Sequence, residues 1–295
     1  MASVLTTNMA SISAQRYLTT AQNKLQSSFE KLSSGQRINR AQDDAAGMGI
    51  SQKLTASINT TSVAVRNAND AIGIVQTAEG ALAEVSVMLQ RFKELATQGV
   101  NGALSSDQRK FLSVEMGNLR DEIVAIADRT TFNGNSLIGN TGSLVFQTGP
   151  EYSASVGTVT VNTVNIKEAG DNNEFQNLFS LLGEDNTAYV DADTGAGVKS
   201  AVTDFSALQS TIDSAISEIA TQRAKFGTMV TRLNHNIANL TALHENLSAA
   251  NSRVVDTDYA AETATLTKTQ ILQQAATAML SQANAQPNVV LALLK

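Results

Sequence analysis

A row of apolar residues repeating every seven positions near the C-terminal end constrains the fold more than any other feature of the chain. Its members are Phe205, Ile212, Ile219, Phe226, Leu233, Leu240 and Leu247. A second apolar row is offset from it by three or four residues, so the two rows form the heptad pattern of coiled-coil packing. The pattern predicts one helix of roughly 65 Å at 1.5 Å per residue. Because such a helix carries a single long apolar stripe, it needs other long helices as partners.

Two further stretches have the same helical spacing, from Ala64 to Ala96 and from Leu112 to Ile126. Asp43 or Asp44 is a plausible N-cap for the first of them. Packing of the three stretches on one another predicts a bundle. The residues expected to form the seam of this rod domain are Leu82, Leu89, Phe92, Leu119, Ile219, Phe226, Leu233 and Leu240.

The two ends of the chain carry weaker amphipathic stripes, in residues 1–32 and 260–295. Ser, Thr, Gln and Asn fill most positions between the sparse apolar residues. Isolated helices of this kind are marginal in water, so we expect both ends to become ordered only against a partner. Pro287 is expected to end or kink the last helix.

The middle of the chain differs in period and in charge. Alternating residues from Ser143 onward predict short strands, and a region rich in Gly, Asn and Asp follows Lys167. Eight acidic and two basic residues lie between Ser143 and Ser200, which accounts for the whole net charge of −6. An acidic middle suits a solvated outer surface. The absence of a basic stripe with interleaved aromatics disfavours nucleic-acid binding.

Composition excludes several classes of protein. The chain has no Cys, which rules out disulfides and thiolate metal sites. No stretch of 18 or more apolar residues occurs, so we expect no membrane insertion, and the first residues lack the pattern of a cleaved secretory signal. A cytosolic location follows unless the chain is exported without a cleaved signal.

Enzyme activity is not expected, and neither is a cofactor. His235 and His244 are the only histidines, and a spacing of nine residues puts them on opposite faces of a helix. His244-Glu245 opens like a zinc-protease motif, but Ser248 stands where the second ligand is required. We therefore assign no catalytic and no metal-binding residues.

The predicted fold is mainly α-helical, a long antiparallel coiled-coil bundle formed by the N- and C-terminal halves with a small β-hairpin region and a short surface insert. Residues 1–45 with 252–295 would form a domain of terminal helices. Residues 46–170 with 200–251 would form a helical rod domain with β-hairpins at 143–166. Residues 171–199 would form the short acidic insert.

Three motifs resemble a known family, the bacterial flagellins. Residues Ser33 to Gly47, with the sequence SSGQRINRAQDDAAG, resemble the N-terminal signature of that family. Gln270 to Ala275 and Ser281 to Asn284 resemble the C-terminal one, and Thr131 to Gly134 matches the end of the family's third helix. The resemblance covers roughly the first 165 and the last 95 residues. The middle is shorter than in large enteric flagellins.

The resemblance implies a structural subunit that polymerises into the extracellular filament of the bacterial flagellum and gives swimming motility. Family members are exported unfolded through the flagellar type III channel, and their termini fold on assembly. Implied partners are further copies of the chain, a flagellar export chaperone and the filament cap. The innermost filament packing is then assigned to Leu5, Met9, Ile12, Leu18, Leu25, Leu272, Met279, Val290 and Leu291.

A further segment resembles the part of flagellin that the animal Toll-like receptor for flagellin recognises. The resemblance assigns receptor recognition of the monomer to Gln90, Arg91, Glu94, Leu95 and Glu115. Ladder packing and a solvated helix face would account for this segment without a receptor. Two other functions stay open: a hook–filament junction protein of the same apparatus, and a flagellin-like surface adhesin that binds glycans through the insert.

Overall fold

The computed structural model describes residues 7–151, 157–166 and 198–293, and the side chains at 198–204, 206–207 and 287–293 lie outside that description. The helices are α1 Met9–Ser34, α2 Ala45–Gly99, α3 Ser106–Arg129, α4 Val198–Val255 and α5 Tyr259–Leu293. The strands are β1 Thr131–Phe132, β2 Asn135–Ser136, β3 Gly139–Gln147 and β4 Thr158–Asn165. This arrangement confirms the predicted fold class, a mainly α-helical bundle with a small β-hairpin region.

The described residues cluster into two units, Met1–Asn59 with Glu245–Lys295 and Thr60–His244. The domain bounds expected from the sequence, at residues 45 and 252, rest on the cap before α2 and the break after α4, and they stay a prediction. Both units include parts of α2 and α4, since residues 59–60 lie within α2 and residues 244–245 lie within α4. The predicted insert at 171–199 lies outside the described residues, except that α4 already includes Val198 and Lys199.

In the second unit, α2 and α4 run antiparallel. Polar contacts along the pair join Thr97 to Gln209 and Lys93 to Asp213, and the numbering falls on one helix as it rises on the other. The apolar rows of both helices face inward and share one buried hydrophobic cluster. The buried row of α2 is Ala64, Ala68, Ala71, Val75, Ala78, Leu82, Val85, Leu89, Phe92 and Ala96, and each member is at most 2% exposed.

Two antiparallel hairpins follow α3. The short one, β1–β2, turns at Asn133 and Gly134, whose φ angles of 50° and 80° suit an Asn-Gly turn. In the longer one, β3–β4, Leu144 lies opposite Val161. Val161 is buried in the same hydrophobic cluster as the helices, so this hairpin packs on the bundle.

In the first unit, short-range polar groups fix the start of α2. The Asp44 carboxylate accepts a hydrogen bond from the Gly47 amide at 2.8 Å and is the helix cap. Asp43 instead accepts from the amides of Asn39 and Arg40, at 3.1 and 2.9 Å, and holds the turn before the helix. These bonds, chiefly that from Arg40, lower the pKa of Asp43 below its usual value of 3.8.

The end of α1 is tied to the segment between α4 and α5. Gly35 adopts a left-handed conformation with φ 73°, and its carbonyl accepts from the Thr257 amide at 2.9 Å. The Arg37 amide donates to the Val255 carbonyl at 2.6 Å. The Tyr259 hydroxyl donates to the Leu32 carbonyl at 3.3 Å, so the antiparallel pairing of α1 and α5 begins at this joint.

Among the described helices, α2 is long and apolar enough over an 18-residue window to cross a membrane, by length and composition only. A core helix passes the same test, and the apolar row of α2 is buried in the bundle. We therefore assign that apolar character to packing.

Candidate assembly surface

Small residues form the seam between α1 and α5. The buried positions there are Ser11, Ala14, Ala21 and Ser28 on α1 and Thr269 and Ala283 on α5. Small side chains let two helices approach closely, because the interaxial distance depends on the side chains at the contact. A close approach leaves little room in the seam for large side chains.

Four of the large apolar residues assigned to filament packing are exposed in the single chain. Met9 and Met279 are 67% and 65% exposed, and Ile12 and Leu272 are 52% and 50% exposed. Leu18 and Leu25 are half-buried. Leu5 and the side chains of Val290 and Leu291 lie outside the described residues. In a single chain, the four exposed residues gain little from folding.

An apolar groove of about 590 Å³ runs along one face of the α1–α5 pair. Tyr17, Leu272 and Met279 line it together with small residues from both helices, including Ala14 and Ala276. Tyr17 is itself 64% exposed. Contiguous exposed apolar surface of this kind marks an interaction site, because its exposure to water is unfavourable in an isolated chain.

Polar contacts close the seam at the N-terminal end of α1. The Asn8 side chain caps α1 by accepting from the Ser11 amide at 3.0 Å. The same side chain donates from Nδ2 to the Ala283 carbonyl at 2.8 Å. The Ser11 hydroxyl donates to Oδ1 of Asn284 at 2.8 Å. The residues assigned to filament packing from the sequence do not include the buried small residues Ala14, Ala21 and Ser28, whose spacing of seven is visible in the sequence.

In the second unit, the residues assigned to the rod-domain seam lie in the core. Seven of them are at most 5% exposed: Leu82, Leu89, Phe92, Ile219, Phe226, Leu233 and Leu240. Leu119 is partly buried and packs against the main hydrophobic cluster of this unit.

The residues assigned to receptor recognition divide into an exposed group and a buried one. Arg91 donates from Nε and Nη2 to Glu115 at 3.0 and 2.7 Å and from Nη1 to Glu94 at 2.9 Å. The bonds to Glu115, followed by those to Glu94, raise the pKa of Arg91. Gln90 is exposed on the same helix, whereas Leu95 is only 1% exposed and packs in the core. Leu95 is buried because it follows the ladder residue Phe92 by three positions, which places both on the inner face of α2.

In the described part of the chain, no group of three or more His, Asp or Glu side chains could hold a metal ion. His235 is exposed and His244 is half-buried.

The fold and this surface define a class of protein: a helical subunit whose first and last helices pair through small residues and present an apolar groove to a further partner. The family model for the bacterial flagellin N-terminal helical region matches residues 5–143, and that for the C-terminal helical region matches residues 198–294.

Whole-chain relatives agree with these matches. A flagellin of Bacillus subtilis (strain 168) is 40% identical over 307 residues, covering 98% of both chains. Flagellin B of Vibrio cholerae is 34% identical over 375 residues, covering 100% of both. A solved structure of a putative flagellar hook-associated protein from Vibrio parahaemolyticus shares the fold, with a TM-score of 0.58, 15% identity, and coverage of 72% of this chain and 100% of that one.

The chain belongs to the bacterial flagellins. It is a structural subunit of a flagellar filament, polymerises with copies of itself, and is a member of a structural rather than an enzymatic family.

Proposed function

We propose that this subunit is exported unfolded, orders its terminal helices on assembly, and builds an extracellular filament that gives swimming motility. The observation that carries the proposal is the exposed apolar groove along α1 and α5. Burying that groove against neighbouring copies supplies the free energy that a single chain lacks for ordering these helices. Residues 1–45 and 252–295 would then form the inner filament core, and the insert at 171–199 would face outward.

The geometry of assembly follows from the kind of contact involved. A groove that receives a different surface of the next copy makes a heterologous contact, and such contacts generate open helical filaments when the rotation does not close a ring. Met9, Ile12, Leu272 and Met279 would be buried in these contacts, together with Leu5, Val290 and Leu291.

Seeded polymerisation tests this proposal. Purified protein would be dissociated with acid, returned to neutral pH with short filament seeds, and followed by electron microscopy and far-UV circular dichroism. We expect long filaments and a gain in helicity. The matched control is a chain lacking Ala285 to Lys295, which should stay monomeric. Full-length protein that stays monomeric with unchanged helicity would refute the proposal and favour a junction protein.

Two transient partners accompany this pathway, an export chaperone and the filament cap. Before assembly, the exposed apolar side chains of α5 need cover, and a chaperone that binds the C-terminal helix would provide it. Calorimetric titration of the monomer with the flagellar export chaperone should show binding that weakens in Leu272→Ser. Equal affinity for both proteins would exclude this surface. Filament growth in vivo that continues without the cap would exclude the cap as a partner.

A second proposed function is recognition of the monomer by the animal Toll-like receptor for flagellin. The Arg91–Glu94–Glu115 cluster supports it, because it holds a cation and two carboxylates in a fixed, exposed arrangement. Leu95 would act from beneath, by holding α2 in place, rather than as a direct contact.

A reporter-cell assay that measures receptor activation by monomers tests this recognition. We expect Arg91→Ala to reduce activation by monomers about tenfold, in line with the loss of a charge-assisted contact. Lys93→Ala on the same helix removes another exposed cation and should change activation little. Unchanged activation by an Arg91→Ala and Leu95→Ala double variant would show that the mapping is wrong.

A further inference from the structure

The last helix passes through a proline instead of ending at it. α5 extends to Leu293, and residue 287 is proline. A proline has no amide N–H, so it cannot donate to the carbonyl four residues earlier in the helix. That carbonyl belongs to Ala283. The remaining carbonyls in the interior of an α-helix each accept a hydrogen bond from a backbone amide of the same helix. The Ala283 carbonyl therefore has no backbone donor from α5.

The open acceptor is filled from the other end of the chain. Nδ2 of Asn8 donates to the Ala283 carbonyl at 2.8 Å. Ala283 is 8% exposed, so water has little access to compensate for a missing donor. Oδ1 of the same Asn8 side chain caps α1 by accepting from the Ser11 amide. One amide side chain therefore completes both helices.

The seam itself fixes the register between the helices only weakly. Ala14, Ala21 and Ser28 are spaced by seven and are nearly equal in size, so sliding α1 by one heptad replaces one small residue by another. A seam of repeated small residues gives neighbouring registers similar packing, and a polar group with a single matching partner is what distinguishes such registers. Asn8 has that partner in one register only, because Pro287 frees only the Ala283 carbonyl.

We propose that Asn8 is the positioning residue that sets the register of α1 against α5, and that it does so by filling the carbonyl freed by Pro287. Ser11 and Asn284 reinforce the same register through their own side-chain hydrogen bond. The proposal rests on the proposed assembly, because the register decides which apolar side chains of α1 lie beside Leu272 and Met279 in the groove.

A double-mutant cycle on filament growth tests the link between Asn8 and Pro287. The measured quantity is the critical concentration for elongation from wild-type seeds. Asn8→Ser keeps a good helix cap but removes the donor to Ala283, and we expect a five- to tenfold higher critical concentration. Asn8→Asp also keeps the cap but turns a carboxylate toward the carbonyl, so its increase should be larger.

Pro287→Ala restores a backbone donor to the Ala283 carbonyl. In that background Asn8→Ser should raise the critical concentration less than about twofold. An equal increase with and without Pro287 would overturn the proposal, as would an Asn8→Ser protein that elongates like wild type. Should Asn8→Ser not elongate at all, recovery in the double variant supports the proposal and no recovery overturns it.

Cross-linking in filaments provides an independent readout of the register, since the natural chain has no cysteine. Ser11→Cys with Asn284→Cys should form a disulfide on mild oxidation, because the two native side chains touch. The pair Ser11→Cys with Thr277→Cys, displaced by one heptad, should not. Preferential cross-linking of the displaced pair would overturn the register. Failure of wild-type protein to polymerise would instead refute the assembly proposal, so the two failures are distinguishable.

Discussion

Replacing Gly99 by alanine offers a sharp test of the packing in the second unit. Gly99 is the last residue of α2, and an ideal Cβ there would lie 2.5 Å from Cδ1 and Cε1 of Phe205 and 2.8 Å from Cγ. Real Cβ atoms do not approach so closely, so the ring or the helix end must move. Phe205 has no exposed surface through which it could relax.

The expected cost combines two opposing effects. Overpacking a filled core costs about 1–3 kcal/mol. Alanine is favoured over glycine by about 1 kcal/mol inside a helix, but by less at a terminal residue. We therefore expect Gly99→Ala to lower the free energy of unfolding by about 1–2 kcal/mol.

Gly80→Ala is the matched control on the same helix. A Cβ at Gly80 meets nothing within 4 Å, and the residue is exposed in the middle of α2. It should therefore gain up to about 1 kcal/mol from helix propensity.

Urea unfolding followed by circular dichroism measures both variants. With a slope of about 2 kcal/mol per molar urea, the midpoint should fall by roughly 0.5–1 M for Gly99→Ala and rise by up to about 0.5 M for Gly80→Ala. The cost should shrink when Phe205→Leu is added to Gly99→Ala, because the smaller side chain makes room. A Gly99→Ala protein as stable as Gly80→Ala would refute the reasoning.

Two further predictions concern the first unit. Gly35→Ala should weaken the joint between α1 and α5 by about 1–2 kcal/mol, because φ is 73° and the Tyr259 hydroxyl lies 3.1 Å from the added Cβ. The variant should show faster proteolysis of its terminal helices, and an unchanged rate would contradict this prediction. The lowered pKa of Asp43 means that its contribution to stability is fully present above pH 3.8 and is lost as the pH falls through the lower folded-state pKa. Asp43→Asn should therefore reduce the acid dependence of unfolding in that window, and identical pH profiles for both proteins would argue against the assignment.

The sequence by itself determined the long helices and their inner faces. Heptad spacing needs only the period of apolar residues, and side chains seven apart return to nearly the same side of a helix whatever the partner. For this reason Leu82, Leu89, Phe226 and Leu233 could be placed in a seam before any contact was known. The flagellin motifs at both ends likewise needed only local sequence.

Tertiary structure decided which helices approach closely and what that leaves exposed. The assignment of Met9 and Met279 to filament packing stays a prediction, whereas the α1–α5 seam of the single chain uses the small residues Ala14, Ala21 and Ala283, because a close helix pair selects small side chains. Leu95 belonged to a surface motif by resemblance, but it faces inward because it lies three residues after Phe92 on the ladder.

Pro287 shows the limit of local reasoning most clearly. Taken alone, a proline predicts the end or a kink of a helix, because it removes one hydrogen bond. Here α5 continues past it, and the freed Ala283 carbonyl receives its hydrogen bond from Asn8, 275 positions away in the chain. Only the folded chain brings that donor to that acceptor, since no local pattern in a sequence encodes a contact between its two ends.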